Sequence, residues 1–216
     1  MTRFFVGITG ASGHAYSEAL VRALVGAGMD VDLSLTSAGA KVLRHELGVV
    51  AEADGSLARD TLCAWLGDEV AASVRVFASA AVEAPASSGT SLTGGVLLCP
   101  CSMGTMARVA VGFSSNLVER AADVALKEGK RLIIVPREAP YSEIHLENML
   151  KLARLGAVIL PASPGFYHHP EDISDLVSHL VGKILDRVGV EHAIGKRWAG
   201  LEPPAADEGT QRGVEG

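Results

Sequence analysis

Two residues in the run "RLIIVPREAPYSEIH" carry an obvious chemical capacity: Arg137 and Glu138, set side by side directly after an apolar stretch. Arg137 offers the planar fork that grips a phosphate through paired hydrogen bonds. Glu138, desolvated beside such an anion, would hold its proton and serve as a general acid. An exposed ion pair is the ordinary fate of such neighbours. Their position at the end of a buried strand puts the catalytic reading on at least equal terms. Upstream, Arg120 and Lys127 in "ERAADVALKEG" lie seven residues apart and share one helical face, either solvated or turned toward an anion. Downstream, "GFYHHP" presents Tyr167, His168 and His169. Tyr167, just after a Pro-Gly turn, suits a ligand contact. The paired histidines lack a convincingly spaced third ligand and make a poor metal site.

A second feature opens the chain. "FFVGITGASGHAY" is an apolar run ending in Gly7, Gly10 and Gly13, with Thr9 and Ser12 between them. The turn looks like a phosphate cradle, yet its spacing is G-x-x-G-x-x-G. The dinucleotide fingerprint is G-x-G-x-x-G, and a P-loop would need a closing Gly-Lys-Ser/Thr that is absent. His14 follows as a polar residue at a helix start. Cys99 and Cys101 flank Pro100 at another strand end, and nothing local marks either as an activated nucleophile.

These residues need a frame, and the hydrophobic pattern supplies one. Residues 3–9 read as a buried strand, and 14–28 show helical periodicity with Leu20, Leu24 and Ala27 on one face. "DVDLSLT", "GVLLCP", "RLIIVP" and "AVILP" read as further strands. "SAGAKVLRHELG", "SNLVERAADVALKEGK", "SEIHLENMLKLARLG" and "DISDLVSHLVGKILDRVGV" read as helices. A short helix is expected near 57–66 and a short strand at 74–77, followed by a long Ser-, Ala- and Gly-rich loop through residue 94. Such loops are usually functional or mobile. Buried strands alternating with amphipathic helices mean an α/β fold with a doubly wound, mostly parallel sheet in three layers. Ligands in that architecture sit beyond the C-terminal strand ends. The chain punctuates those ends with "TGASG", "TSAG", "CPCSMGT", "PREAPYSE" and "PASPGFYHH".

Bulk properties narrow the choices. At 216 residues the chain is long enough for one domain with a real core. A net charge of −6 argues against a general nucleic-acid binder, because neutralising phosphates needs a basic surface. No stretch reads as a signal peptide or a membrane span, so a cytoplasmic location is expected. Three cysteines without disulfide or zinc spacing fit reduced thiols there. The tail "EPPAADEGTQRGVEG" has the composition of a disordered end.

Taken in order, "GITGASG", "CPCSMGT", "NLVERAADVALKE", "VPREAPYSEIHLENMLKLARLGAVILPASPGFYHHP" and "KRW" resemble the UbiX-type flavin prenyltransferases. The resemblance runs from the first strand to about Trp198 and is weakest between residues 50 and 94. It implies a flavodoxin-like or Rossmann-like fold and a homododecamer with active sites at subunit junctions. The implied reaction moves a dimethylallyl group from dimethylallyl phosphate onto N5 and C6 of reduced FMN, without a metal. The product, prenylated FMN, is the cofactor of UbiD-type decarboxylases, so such a decarboxylase and a flavin reductase are the implied functional partners. Residues 1–190 would form the FMN-binding domain and 191–216 a C-terminal segment.

By the same resemblance, Gly10, Ala11, Ser12, Thr36, Ser102, Met103, Gly104, Thr105 and Arg137 match the FMN contacts. Arg120, Lys127, Glu138, Tyr167 and Lys183 match the pocket for the substrate phosphate. Ser12 and Glu46 match groups beside the flavin, and Trp198 an aromatic wall of the prenyl site. Val82 stands where some members carry tryptophan, and Lys183 where some carry arginine. Related cysteine decarboxylases use an active-site histidine and an Asn-containing loop, and neither pattern is found here. A flavin carrier that had lost transfer chemistry would not need the phosphate set.

Overall fold

The structure is a computed structural model that describes residues 2–195 and residue 200. Six parallel strands form its centre: β1 (Arg3–Ile8), β2 (Asp30–Leu35), β3 (Val74–Phe77), β4 (Gly95–Cys101), β5 (Leu132–Pro136) and β6 (Val158–Ile159). Their residues are apolar on both faces because both faces are covered. In β1, Phe4, Val6 and Ile8 enter one core while Phe5 enters the other. The first core is closed by Leu20, Val21 and Leu24 of α1 (His14–Gly26) and by Leu180, Val181 and Ile184 of α8 (Ile173–Val188). It also takes Leu43 of α2 (Ser37–Leu47) and Leu62 of α3 (Arg59–Leu66).

The second core is closed by α5 (Met103–Ala110), α6 (Leu117–Lys127) and Leu152 of α7 (Glu143–Arg154). The doubly wound expectation therefore holds, and the strand order β3-β2-β1-β4-β5-β6 is the Rossmann order. The direction in which successive strands are added reverses between β1 and β4, which leaves a crevice beyond their carboxyl ends.

Three stretches differ from the reading of the sequence. The helix expected at 57–66 is α3, and a five-residue helix, α4 (Asp68–Ala72), follows it. Gly67 parts the two at φ 77°. The segment after "CPC" forms α5, whose first turn is capped by Ser102. The Ser- and Ala-rich loop holds one 3-10 turn, Pro85–Ser87, and is packed down: Ala84, Ala86 and Leu92 are buried in the second core. Among the described residues no helix is long and apolar enough to cross a membrane.

Candidate functional site

The glycine turn joins β1 to α1 at the reversal point. A Cβ on Gly7 would strike Val118 and Leu98, and one on Gly10 would come within 2.7 Å of the Ala38 side chain. Gly13 caps α1 at φ 111°, a backbone state that side chains disfavour. The spacing thus records three separate steric demands.

Glu46, from the last turn of α2, reaches back to this turn. Its Oε2 accepts hydrogen bonds from the amides of Gly13 at 3.0 Å and His14 at 2.8 Å. In dinucleotide-binding folds the start of the first helix seats a pyrophosphate. Here the protein's own carboxylate fills that seat. Burial alone would raise the Glu46 pKa, but bonds from the Ser12 side chain and the two amides outweigh it and pull it below the usual value. Beneath lies His14, fully buried, with Nδ1 3.4 Å from Glu46 Oε2. Burial is the main cause of its lowered pKa, opposed in part by Glu46.

Three further strand ends are stitched to the turn. The Thr9 hydroxyl donates to the Pro100 carbonyl at 2.9 Å and accepts from the Ser102 amide at 2.7 Å. Arg137 donates its amide to the Cys101 carbonyl and its Nε to the Ser12 carbonyl at 3.2 Å. Thr36 caps α2 by accepting from Gly39 N at 3.0 Å. Ser102 caps α5 by accepting from Thr105 N, and it donates its own proton to the Thr105 hydroxyl at 3.1 Å. The N-terminal ends of α2 and α5 therefore open on the same crevice, beside the exposed Ser12, Ala38, Gly104 and Arg137. Both are positive ends suited to an anionic ligand.

The cysteines take no part. Cys99 and Cys101 are free and fully buried; burial pushes the Cys101 thiol up to about 12 and Cys99 higher still. Neither supplies a thiolate at neutral pH. Among the described residues no group of three or more His, Cys, Asp or Glu is placed to hold a metal.

A model of the Flavoprotein family matches residues 1–185. Flavin prenyltransferase UbiX of Pseudomonas aeruginosa is 45% identical over 91% of this chain and 93% of its own. The chain belongs to the UbiX family of flavin prenyltransferases. The dodecameric FMN-dependent UbiX-like decarboxylase of Escherichia coli O157:H7 superposes with a TM-score of 0.79 at 40% identity, covering 92% of this chain and all of that one. AnUbiX (PadA1), solved with FMN and dimethylallyl pyrophosphate, gives 0.79 at 35% identity, covering 93% and 98%.

In this UbiX-family chain, Gly10, Ser12, Thr36, Ser102, Gly104 and Arg137 stand at the neighbouring ends of β1, β2, β4 and β5, with Glu46 bonded to the same turn, while Ala11, Met103 and Thr105 are buried. Glu138 follows Arg137 on the same strand end, and its Oε1 accepts from the Ala139 amide at 3.0 Å. Tyr167 sits in the β6–α8 loop, bonded to His179, and Lys183 lies one turn beyond that histidine on α8. Arg120 pairs with Asp123 at 3.2 Å near the start of α6, and Lys127 pairs with Glu128 at 2.6 Å at its end. The α6 helix starts beside Ser79, past the carboxyl end of β3, and runs back toward the start of β5. Lys127 therefore lies about 10 Å further along the axis than Arg120, away from the crevice. Lys127 and Arg137 thus belong to opposite ends of the parallel strands. Trp198 lies outside the described residues. The sequence placed Thr9 in the turn and His14 at a helix start without their partners and missed His179 altogether, because these contacts come from other elements; His14 is fully buried.

Proposed function

We propose that this protein is a cytoplasmic flavin prenyltransferase that moves a dimethylallyl group from dimethylallyl phosphate to N5 and C6 of reduced FMN. The observation that carries the reading is the meeting of the glycine turn with the starts of α2 and α5 and with Arg137, in a chain that also carries cations flavin binding alone would not require. The crevice suits FMN: its walls are small residues, and the first-helix seat for a second phosphate is closed by Glu46. The N-terminal ends of α2 and α5, with Arg137, remain for one phosphate-bearing ligand.

Bound reduced FMN supplies the nucleophilic nitrogen and carbon. Ser12 presents its hydroxyl at the crevice with Glu46 behind it, held ionised and able to take a proton from Ser12 Oγ. Arg120, Lys127 and Lys183 neutralise the allylic phosphate, a poor leaving group while its charge is uncompensated. Tyr167 donates a hydrogen bond to that phosphate, and Glu138 protonates it as it departs. Trp198 provides an aromatic face for allylic cation character.

The chain works as an oligomer, with the dodecamer of the E. coli relative as the pattern. Exposed Val111, Phe113, Ile144, Leu146 and Leu150 on and around α5 and α7 would be covered by neighbouring copies. Assembly also excludes water from the reacting allyl group. A flavin reductase supplies the reduced FMN, and a UbiD-type decarboxylase takes the product.

The test is anaerobic incubation with reduced FMN and dimethylallyl phosphate, followed by the mass of the extracted flavin. A flavin heavier by one prenyl group is expected. An unchanged mass with FMN demonstrably bound overturns the reading and leaves a flavin-binding protein.

A further inference from the structure

Tyr167 does not stand by itself in its loop. Its hydroxyl lies 2.7 Å from Nε2 of His179, on the second turn of α8. The other ring nitrogen of His179, Nδ1, receives the amide hydrogen of Gly165 at 3.3 Å. An N–H can donate only to a ring nitrogen that carries no proton, so Nδ1 is bare and the proton of the neutral ring sits on Nε2. Nε2–H therefore donates to the Tyr167 oxygen. With that oxygen accepting from inside the fold, the tyrosine's own hydrogen is directed away from His179.

The rings around this bond fix it in place. His168 stacks on His179 with centroids 4.8 Å apart and planes 5° from parallel. Tyr167 stands edge-on to both, at 5.3 Å from His179 and 5.7 Å from His168. His168 is buried, and neither of its ring nitrogens has a hydrogen-bond partner among the described residues. Burial, then His168 and Lys183, lower the pKa of His179 and keep it in the neutral tautomer that Gly165 selects.

We propose that His179 is a positioning residue for the substrate phosphate: it holds the Tyr167 hydroxyl as a one-way hydrogen-bond donor facing that phosphate. This rests on the prenyltransferase reading and on Tyr167 as a phosphate ligand. His179 touches neither flavin nor donor in this assignment; it acts through the tyrosine. Without it, α8 no longer fixes the direction of the hydroxyl, which can then present a lone pair to the phosphate instead of a proton.

The experiment compares the full-length oligomer with His179→Phe, His179→Gln, Tyr167→Phe and the double variant His179→Phe/Tyr167→Phe. Phenylalanine keeps the stack on His168 but removes the donor; glutamine restores an N–H. With reduced FMN and dimethylallyl phosphate, His179→Phe should raise the KM for the phosphate donor about tenfold, with kcat and FMN affinity little changed. His179→Gln should recover most of that loss. The double variant should be no worse than Tyr167→Phe, because a residue acting through Tyr167 adds nothing once the hydroxyl is gone. A wild-type KM in His179→Phe, or multiplicative losses in the double variant, overturns the assignment. If the wild-type protein makes no prenylated flavin, the reading beneath falls and takes the assignment with it. If only the variant pattern fails, the prenyltransferase reading stands.

Discussion

Glu46 and His14 answer the same local problem, the positive and unsatisfied start of α1, with opposite consequences for acid stability. The carboxylate satisfies two amides and stays ionised, while the imidazole is walled in and kept neutral. Both pKa values lie below those of the unfolded chain, so the unfolded state binds more protons on acidification and stability must fall with pH. The windows differ. The His14 contribution is present above about pH 6.5 and declines below it, as the unfolded imidazole takes a proton that the folded one refuses. The Glu46 contribution persists above about pH 4.5 and goes only as the pH drops through its lower folded value. His179 adds to the first window with the same sign. The melting temperature should therefore drop between pH 7.5 and 5.5, and His14→Asn should flatten that slope. Equal slopes in thermal shift assays of the two proteins would remove His14 from this account.

Between elements, the structure relies on polar clips that join the end of one element to the start of another. The second core has such a clip in Arg108 of α5 and Glu119 of α6. Glu119 is fully buried and also accepts from the Ser115 amide at 2.9 Å and the Ser115 hydroxyl at 2.6 Å. It fixes the loop that leads into α6, and hence the placement of Arg120. Removing Arg108 leaves a buried carboxylate uncompensated, whereas replacing both partners by apolar groups does not. Arg108→Met should lower stability by about 2 kcal/mol, less than for a fully buried pair because the guanidinium is partly solvated. Arg108→Met/Glu119→Leu should recover much of it. Urea midpoints decide, and a double variant worse than the single would refute the clip.

Such pairings are also where the sequence was hard to read. Strands β1, β4 and β5 were legible because burial on both faces leaves an unbroken apolar run. Likewise α6 and α7 were legible from their caps and periodicity. The helix α5 was not, since it spans only eight residues and starts at Met103, directly after a strand end. The gap at Gly67 was missed because a short helix can be broken without any change in composition. At the site, the glycine turn and Arg137 could be placed by position alone. Glu46 came only through family resemblance, and His179 from neither route, because a contact 12 residues away across a loop has no local signature.

Taken as one molecule, the chain sets the residues proposed for the substrate phosphate in two places. Arg137, Glu138 and Tyr167 lie past the carboxyl ends of the strands, while Lys127 ends α6 toward the amino end of β5. If all of them serve one phosphate, Lys127 must come from a neighbouring copy, and the exposed apolar residues of α7 give that neighbour a surface to bind. This has a consequence that single variants cannot reveal. Lys127→Ala and Tyr167→Phe should each cost activity in a uniform oligomer. Co-expressed as differently tagged chains and purified as mixed oligomers, they should form some sites with wild-type Lys127 from one chain and wild-type Tyr167 from another. Random assortment predicts such intact sites in roughly a quarter of positions, and a matching share of wild-type prenylation activity. Mixed oligomers no more active than the better parent would instead place both residues on one chain, and the division of the phosphate pocket between subunits would have to be abandoned.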